Sequence, residues 1–134
     1  MDIPMGIDWR EAWCARDNKR RARNGQAYWN NRAVDYVKKA ERSDYSQYSD
    51  IFFEYLKLQP GKSVLDMGCG NGILTLPMAR AKHQVIAADF SDAMLESLTK
   101  RVQDEGLSTV TVKKLDWDED WLAAGMQPKS LDIA

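Results

Sequence analysis

The chain has 134 residues, 44% hydrophobic and 29% charged, which excludes a disordered or collagen-like protein and fits one globular domain or part of a larger one. Two cysteines and one histidine are too few for a disulfide scaffold or a Cys/His zinc site, so no metal is expected. The formal net charge is −1, no apolar run spans a bilayer, and residues 1–10 lack the basic start and apolar core of a signal peptide; a cytoplasmic protein without membrane contact is expected.

The charge is unevenly spread. Residues 10–42 hold ten Lys/Arg against four Asp/Glu, whereas residues 43–134 hold nine against fourteen. A basic front on an acidic body suits an anion or nucleic acid; a solvated helix face is the plainer reading.

Residues 1–9 read as a loose start. A first helix is predicted from Trp9 to about Arg23, with Trp9, Trp13 and Arg16 on one face. Asn24-Gly25 reads as a stop or turn. A second helix is predicted from Gln26 to about Glu41, with an apolar stripe of Tyr28, Trp29, Ala33, Tyr36, Val37 and Ala40. A third runs from Tyr48 to Leu58, turning Ile51, Phe52, Tyr55 and Leu56 toward a core, before the turn signal Gln59-Pro60-Gly61-Lys62.

The texture then changes. A short apolar strand, residues 63–67, runs into Gly68-Cys69-Gly70-Asn71-Gly72. A helix over 73–81 follows, with Pro77 near its first turn, where a proline is tolerated. A second strand, residues 84–88, ends at Asp89. Ser91 caps a helix from Asp92 to about Glu105, with Met94, Leu95, Leu98 and Val102 as its buried stripe. A third strand covers 109–115, the acidic stretch 116–124 reads as a loop and short helix, and residues 131–134 open a fourth strand. His83, between helix and strand, reads as a surface loop residue. The expected fold class is α/β: N-terminal helices, then a Rossmann-like parallel sheet with helices on both faces and right-handed crossovers, incomplete at its C-terminus. The expected organisation is a helical segment or lid over residues 1–47 and a ligand-binding front half over 48–134. The chain reads as the front part of a longer protein, and self-association through the unfinished sheet is expected.

The glycine loop is the most informative segment. Its pattern is G-x-G-x-G; the third glycine of a dinucleotide loop would fall at Ile73, and no Lys-Ser/Thr of a phosphate loop follows. Asp66, at the strand's end, is a poor neighbour for a pyrophosphate and a good one for a cation. Asp89 ends the second strand, where an acidic residue holds ribose hydroxyls in doubly wound folds. A ligand with a ribose, a positive end and no phosphate fits all three features, and S-adenosylmethionine is such a ligand. The helix after the loop is expected to turn free N–H groups toward it.

Val64-Leu-Asp-Met-Gly-Cys-Gly-Asn-Gly72 resembles the first motif of class I S-adenosylmethionine-dependent methyltransferases. Asp89-Phe90 resembles their second motif, Leu115-Asp116-Trp117 the third, and residues 131–134 the start of the fourth strand. The resemblance covers roughly residues 45–134 and implies a sheet of order 3-2-1-4-5-7-6, of which this sequence supplies strands 1 to 3 and the start of 4. It implies that Asp66, Gly68, Cys69, Gly70 and Gly72 lie at the cofactor, and that Asp89 binds both ribose hydroxyls. Phe90 would pack on the adenine, Asp116 accept from its amino group and Trp117 flank the ring. Tyr28, Trp29 and Arg32 are candidates to close over the cofactor, with Arg32 pairing to its carboxylate.

Plainer readings stand beside these. Asp66 and Asp89 also read as loop or helix caps, Asp116 as part of a solvated acidic run, and Trp117 and Trp121 as partners of each other. Trp9, Trp13, Tyr28 and Trp29 read more simply as core or lid packing. Cys69 is a small filler rather than a nucleophile. The family's acceptor-side residues commonly follow the fourth strand, so no catalytic base is assigned. A small-molecule acceptor is the leading expectation. The alternatives are an RNA or DNA acceptor held by the basic front segment around Lys19-Arg20-Arg21-Ala22-Arg23, or a cofactor-binding module without catalysis. An NAD-dependent oxidoreductase is disfavoured by Asp66 and by the missing third glycine.

Overall fold

The computed structural model describes residue 6, residues 8–128 and residues 130–133, with Arg21, Ala22 and Asn24 described by backbone alone. The rest of the expected loose start, and Ala134 of the expected fourth strand, lie outside these residues.

Three helices come first: α1 (Trp9–Asn24), α2 (Gln26–Arg42) and α3 (Ser46–Leu56). Asp8 caps α1, its Oδ1 accepting from the Arg10 and Glu11 amides, both at 3.0 Å. Gly25, in extended conformation, is the single-residue break between α1 and α2. The remainder is β1 (Ser63–Met67), α4 (Thr75–Arg80), β2 (Gln84–Asp89), α5 (Asp92–Asp104) and β3 (Val110–Lys114). The strands lie parallel in the order β1-β2-β3, with Met67 opposite Ala88 and Asp89 opposite Lys114. Residue 133 makes a parallel bridge to Val64, and its carbonyl accepts from the Leu65 amide at 2.9 Å. The chain therefore returns to the free edge of β1 at residue 133, where a single bridge, not a fourth strand, adjoins the three-stranded sheet.

The apolar alternation of the strands builds two cores. On one face Val64, Val85 and Ala87 meet Leu76 and Met78 of α4 and Leu95 and Leu98 of α5. On the other, Leu65, Ala88 and Leu115 meet Met126, with Trp121 and Leu131 packed against them. Of the two helical layers expected, α4 and α5 supply one; the opposite face is covered by Trp121, Ala124, Met126 and Leu131 from beyond β3, and the short helix expected within 116–124 is a series of turns. Pro77 sits in the first turn of α4, which is shorter than predicted.

Three readings are corrected. α3 was expected to bury Ile51, Phe52 and Tyr55, yet Tyr55 is 84% exposed and the other two are exposed as well; Ser49, Phe53 and Leu56 face inward instead. Apolar residues occupy two faces of this helix, so periodicity alone did not choose between them. His83 is buried, not a surface residue: Lys82 in left-handed conformation turns the chain so that the ring enters an apolar recess of Phe53, Leu58, Pro77 and Met78. Trp9 and Trp13 are neither core nor lid packing; they are 65% and 66% exposed.

Candidate cofactor site

The strand ends and the loops that follow them converge at one edge of the sheet. After β1 the chain reverses through Gly68 and Gly70, both at positive φ, a conformation that glycine adopts without a Cβ penalty. The loop is held by its own donors. The amides of Gly68 and Cys69 both donate to the Ala88 carbonyl, at 2.8 and 2.9 Å, and the Gly72 amide donates to the Cys69 carbonyl at 3.0 Å. The Gly70 amide donates to Asp89 Oδ2 at 2.9 Å. The amides of Gly68, Cys69 and Gly70 thus tie the loop to β2 and that of Gly72 closes a turn within it, which leaves the loop itself a poor cradle for a pyrophosphate.

Asp89 is 7% exposed. Its Oδ1 accepts from the Ser91 amide at 2.9 Å and its Oδ2 from Gly70. A carboxylate offers about four lone-pair positions, so roughly two remain for further donors. Asp66 lies one strand away, and its Oδ2 accepts from the Thr75 hydroxyl at 2.6 Å, at the start of α4. Burial raises the pKa of Asp66 and the Asp89 charge adds to this, while the Thr75 hydrogen bond opposes it. A positive charge placed near Asp66 would offset the cost of ionising it.

Cys69 is buried, and burial together with Asp66 and Asp89 pushes its thiol pKa far upward. It is no thiolate nucleophile at neutral pH, in keeping with its reading as a filler.

A cavity of about 240 Å³ opens beside Asp89. Its walls are Met67, Gly68, Asp89, Phe90, Leu115, Asp116 and Trp117 from the sheet side and Arg20 and Trp29 from α1 and α2. It therefore gathers six of the residues singled out in the sequence: Trp29, Gly68, Asp89, Phe90, Asp116 and Trp117. Trp117 stands 5.6 Å from Trp121 between ring centroids, so it packs on its neighbour and lines the cavity at once. Asp116 shapes its own turn: its Oδ1 faces the Asp118 amide at 3.4 Å and its carbonyl accepts from Trp121 Nε1 at 2.9 Å. Gly72 lies in the wall of a second, wider cavity of about 740 Å³ beneath the α2–α3 connection.

Tyr28 and Arg32 are not in the wall of the first cavity. They pair with each other: Arg32 Nη1 donates to the Tyr28 hydroxyl, and its guanidinium lies 5.1 Å from the ring centroid. Tyr28 also meets Trp29 edge to face. Four residues near the site were not among the candidate cofactor residues: Arg20, which reaches the cavity from α1, and Gln26, Asn30 and Met67. Gln26 and Asn30 share the docked face of α2 with Trp29 and Ala33 at i, i+3, i+4 and i+7, a polar interruption of an apolar stripe that was itself a usable signal. Among the described residues no cluster of His, Cys, Asp and Glu is arranged to hold a metal ion, and no helix is long and apolar enough to cross a membrane.

A methyltransferase domain family matches residues 64–133. The 23S rRNA (uracil(1939)-C(5))-methyltransferase RlmD of Cronobacter sakazakii is 34% identical over 86 residues, covering 60% of this chain and 20% of that protein. The ubiquinone biosynthesis O-methyltransferase of Actinobacillus pleuropneumoniae serotype 5b is 48% identical over 48 residues, 36% of this chain and 20% of that one. Among solved structures, coclaurine N-methyltransferase bound to N-methylheliamine and SAH superposes with a TM-score of 0.50 at 35% identity, covering 52% of this chain and 21% of that chain. The chain spans about a fifth of the length of these curated relatives.

Proposed function

This chain belongs to the methyltransferase domain family, in the class I S-adenosylmethionine-dependent fold, and from that premise we propose that it binds S-adenosylmethionine in the cavity beside Asp89 and serves methyl transfer to a small-molecule acceptor. The carrying observation is Asp89: a buried carboxylate at the end of β2, oriented by two amides, with acceptor capacity left for two neighbouring hydroxyls. Phe90, Leu115 and Trp117 provide apolar walls suited to a flat base, and Asp116 stands among them as an acceptor for an amino group. Asp66 lies toward the first glycines, where a positively charged group offsets the cost of ionising it. The spent loop amides and the two carboxylates disfavour a dinucleotide.

The cofactor, when bound, supplies a methyl group activated on a sulfonium. The protein's share is placement. Asp89 fixes the ribose, the aromatic walls fix the base, and the glycine turn lets the backbone approach the remainder without a side chain intervening. In this reading residues 1–47 form the lid and 48–134 the cofactor-binding half, with Trp29 and Arg20 as the lid's contribution to the wall. The similarity to a ubiquinone biosynthesis O-methyltransferase and to a coclaurine N-methyltransferase supports the small-molecule acceptor.

Calorimetric titration with S-adenosylmethionine and S-adenosylhomocysteine, with NAD as control, tests the reading. Saturable binding of the first two and loss of at least tenfold in affinity in Asp89→Ala is expected; binding of NAD alone, or of nothing by a folded protein, overturns it.

A second reading rests on one observation. α1 exposes Trp9 and Trp13 among Arg10, Arg16, Lys19, Arg20 and Arg23, all exposed, and Arg20 reaches the cavity. Stacking rings beside cations suit single-stranded nucleic acid, and the rRNA methyltransferase relative makes an RNA acceptor the competitor to a small molecule.

A further inference from the structure

The loop that carries Asp89 is gripped from outside by α2. Ser91 is fully buried and has three tasks. Its amide donates to Asp89 Oδ1 at 2.9 Å, and its hydroxyl oxygen accepts from the Met94 amide at 3.3 Å as the cap of α5. That hydroxyl donates to Asn30 Oδ1 at 2.7 Å. Asn30 Oδ1 also accepts from the Ala93 amide at 3.3 Å. Two donors meeting one atom identify it as the carbonyl oxygen of the side chain, which settles which way the amide points.

One turn earlier on the same face of α2, Gln26 Nε2 donates to the Phe90 carbonyl at 2.8 Å and to Asp92 Oδ2 at 3.1 Å. Asp92 is held in turn by Lys114 of β3 at 2.8 Å. Between Gln26 and Asn30 on that face stands Trp29, a wall of the cavity. A single helical face therefore reads residues 90–93 and places the ring that closes the site.

We infer that Asn30 is a positioning residue for cofactor binding, acting through Ser91 on Asp89, and that docking of α2 and binding of the cofactor are one coupled equilibrium. The inference rests on the reading of Asp89 as the ribose-binding carboxylate. Asn30 fixes the Ser91 hydroxyl, Ser91 fixes one oxygen of Asp89 and Gly70 fixes the other. Without Asn30 the outer anchor is lost and Asp89 is less well oriented. By linkage, a ligand that favours the oriented carboxylate tightens the grip of α2 by the same factor.

The test is a double-mutant cycle read by calorimetry with S-adenosylhomocysteine. Asn30→Ala is expected to weaken binding about tenfold and to melt a few degrees lower, because the buried Ser91 hydroxyl loses its acceptor, and Asn30→Asp, which keeps the acceptor atom, to stay within about threefold of wild type. In an Asp89→Ala background the cost of Asn30→Ala is expected to fall below about twofold, because the route to the ligand is already cut. Hydrogen exchange supplies a second readout: the ligand slows exchange across residues 30–40 in wild type and not in Asn30→Ala. An unchanged affinity in Asn30→Ala, or an equal loss with and without Asp89, overturns the inference and leaves the cofactor reading intact. If wild type binds no S-adenosylhomocysteine, the cofactor reading fails and the inference falls with it.

Discussion

Asp66 shows how a single carboxylate can trade stability against binding. Burial holds its pKa above the ordinary carboxylate value, the Asp89 charge adds to that, and the Thr75 hydrogen bond opposes it. The folded state therefore holds the Asp66 proton more tightly than the unfolded chain does. Its stabilising contribution is fully present below the unfolded carboxylate pKa and is lost as pH rises through the raised folded value. Asp66→Asn removes that loss while leaving an oxygen to accept from Thr75. Thermal melts followed over pH are expected to show the variant a few degrees more stable than wild type at pH 7, with the gap closing toward pH 4. Affinity for S-adenosylmethionine should move the other way, lower in the variant and less dependent on pH. A variant that melts below wild type at pH 7 would show that Thr75 and the loop need the carboxylate itself.

At the scale of elements, the glycine loop separates packing from function. Gly72 has φ +91°, and a Cβ there would meet Leu98 Cδ1 at 2.5 Å and Leu76 Cγ at 3.3 Å. Leu98 is fully buried between α5 and the sheet, so little room exists to give way. Gly68 has φ +76° with open space around the same point, on the cavity side. Gly72→Ala is expected to cost about 2–4 kcal/mol in urea denaturation, from overpacking and strain together. Gly68→Ala should cost only about 1 kcal/mol, from φ alone, yet weaken cofactor binding more than tenfold by placing a methyl in the cavity. Equal losses of stability in the two variants would refute this division of labour.

The same contrast explains what the sequence disclosed at this scale. The strands, α5 and the loop were legible because their signals are local: an apolar run, a Ser91 cap, a stripe at helical spacing and glycines where φ turns positive. The inward face of α3 was not, because Ile51, Phe52 and Tyr55 make as good a stripe as Ser49, Phe53 and Leu56, and only the tertiary partner chooses. His83 followed the rule for loops until its neighbours folded over it. In the site, Gly68, Asp89, Phe90, Asp116 and Trp117 come from strand ends whose convergence the parallel topology dictates. Arg20, Gln26, Trp29 and Asn30 arrive from helices that lie about sixty or more residues away in sequence from the loop they meet, as the Asn30–Ser91 and Gln26–Phe90 bonds illustrate. A polar break in the α2 stripe hints at such a contact, but no local pattern names its partner.

For the molecule as a whole, the two acceptor classes make different demands on the separated charge. Residues 10–42 carry the excess of cations, and α1 presents five of them beside two exposed indoles. If RNA is the acceptor, α1 contributes both an electrostatic and a stacking term, and the two respond differently to perturbation. With about four of the cations meeting phosphates, the logarithm of the association constant for a single-stranded oligoribonucleotide should fall with the logarithm of salt at a slope near −3. Trp9→Ala with Trp13→Ala should weaken binding at least tenfold while leaving that slope unchanged, since stacking releases no counterions. Replacing Arg10, Arg16, Lys19 and Arg23 with glutamine should flatten the slope and spare the affinity for S-adenosylhomocysteine, because none of the four lines the cavity. Fluorescence titration at several salt concentrations measures both terms. A slope near zero, or full affinity without the two indoles, would remove RNA from consideration and leave α1 as a charged outer face of a small-molecule enzyme.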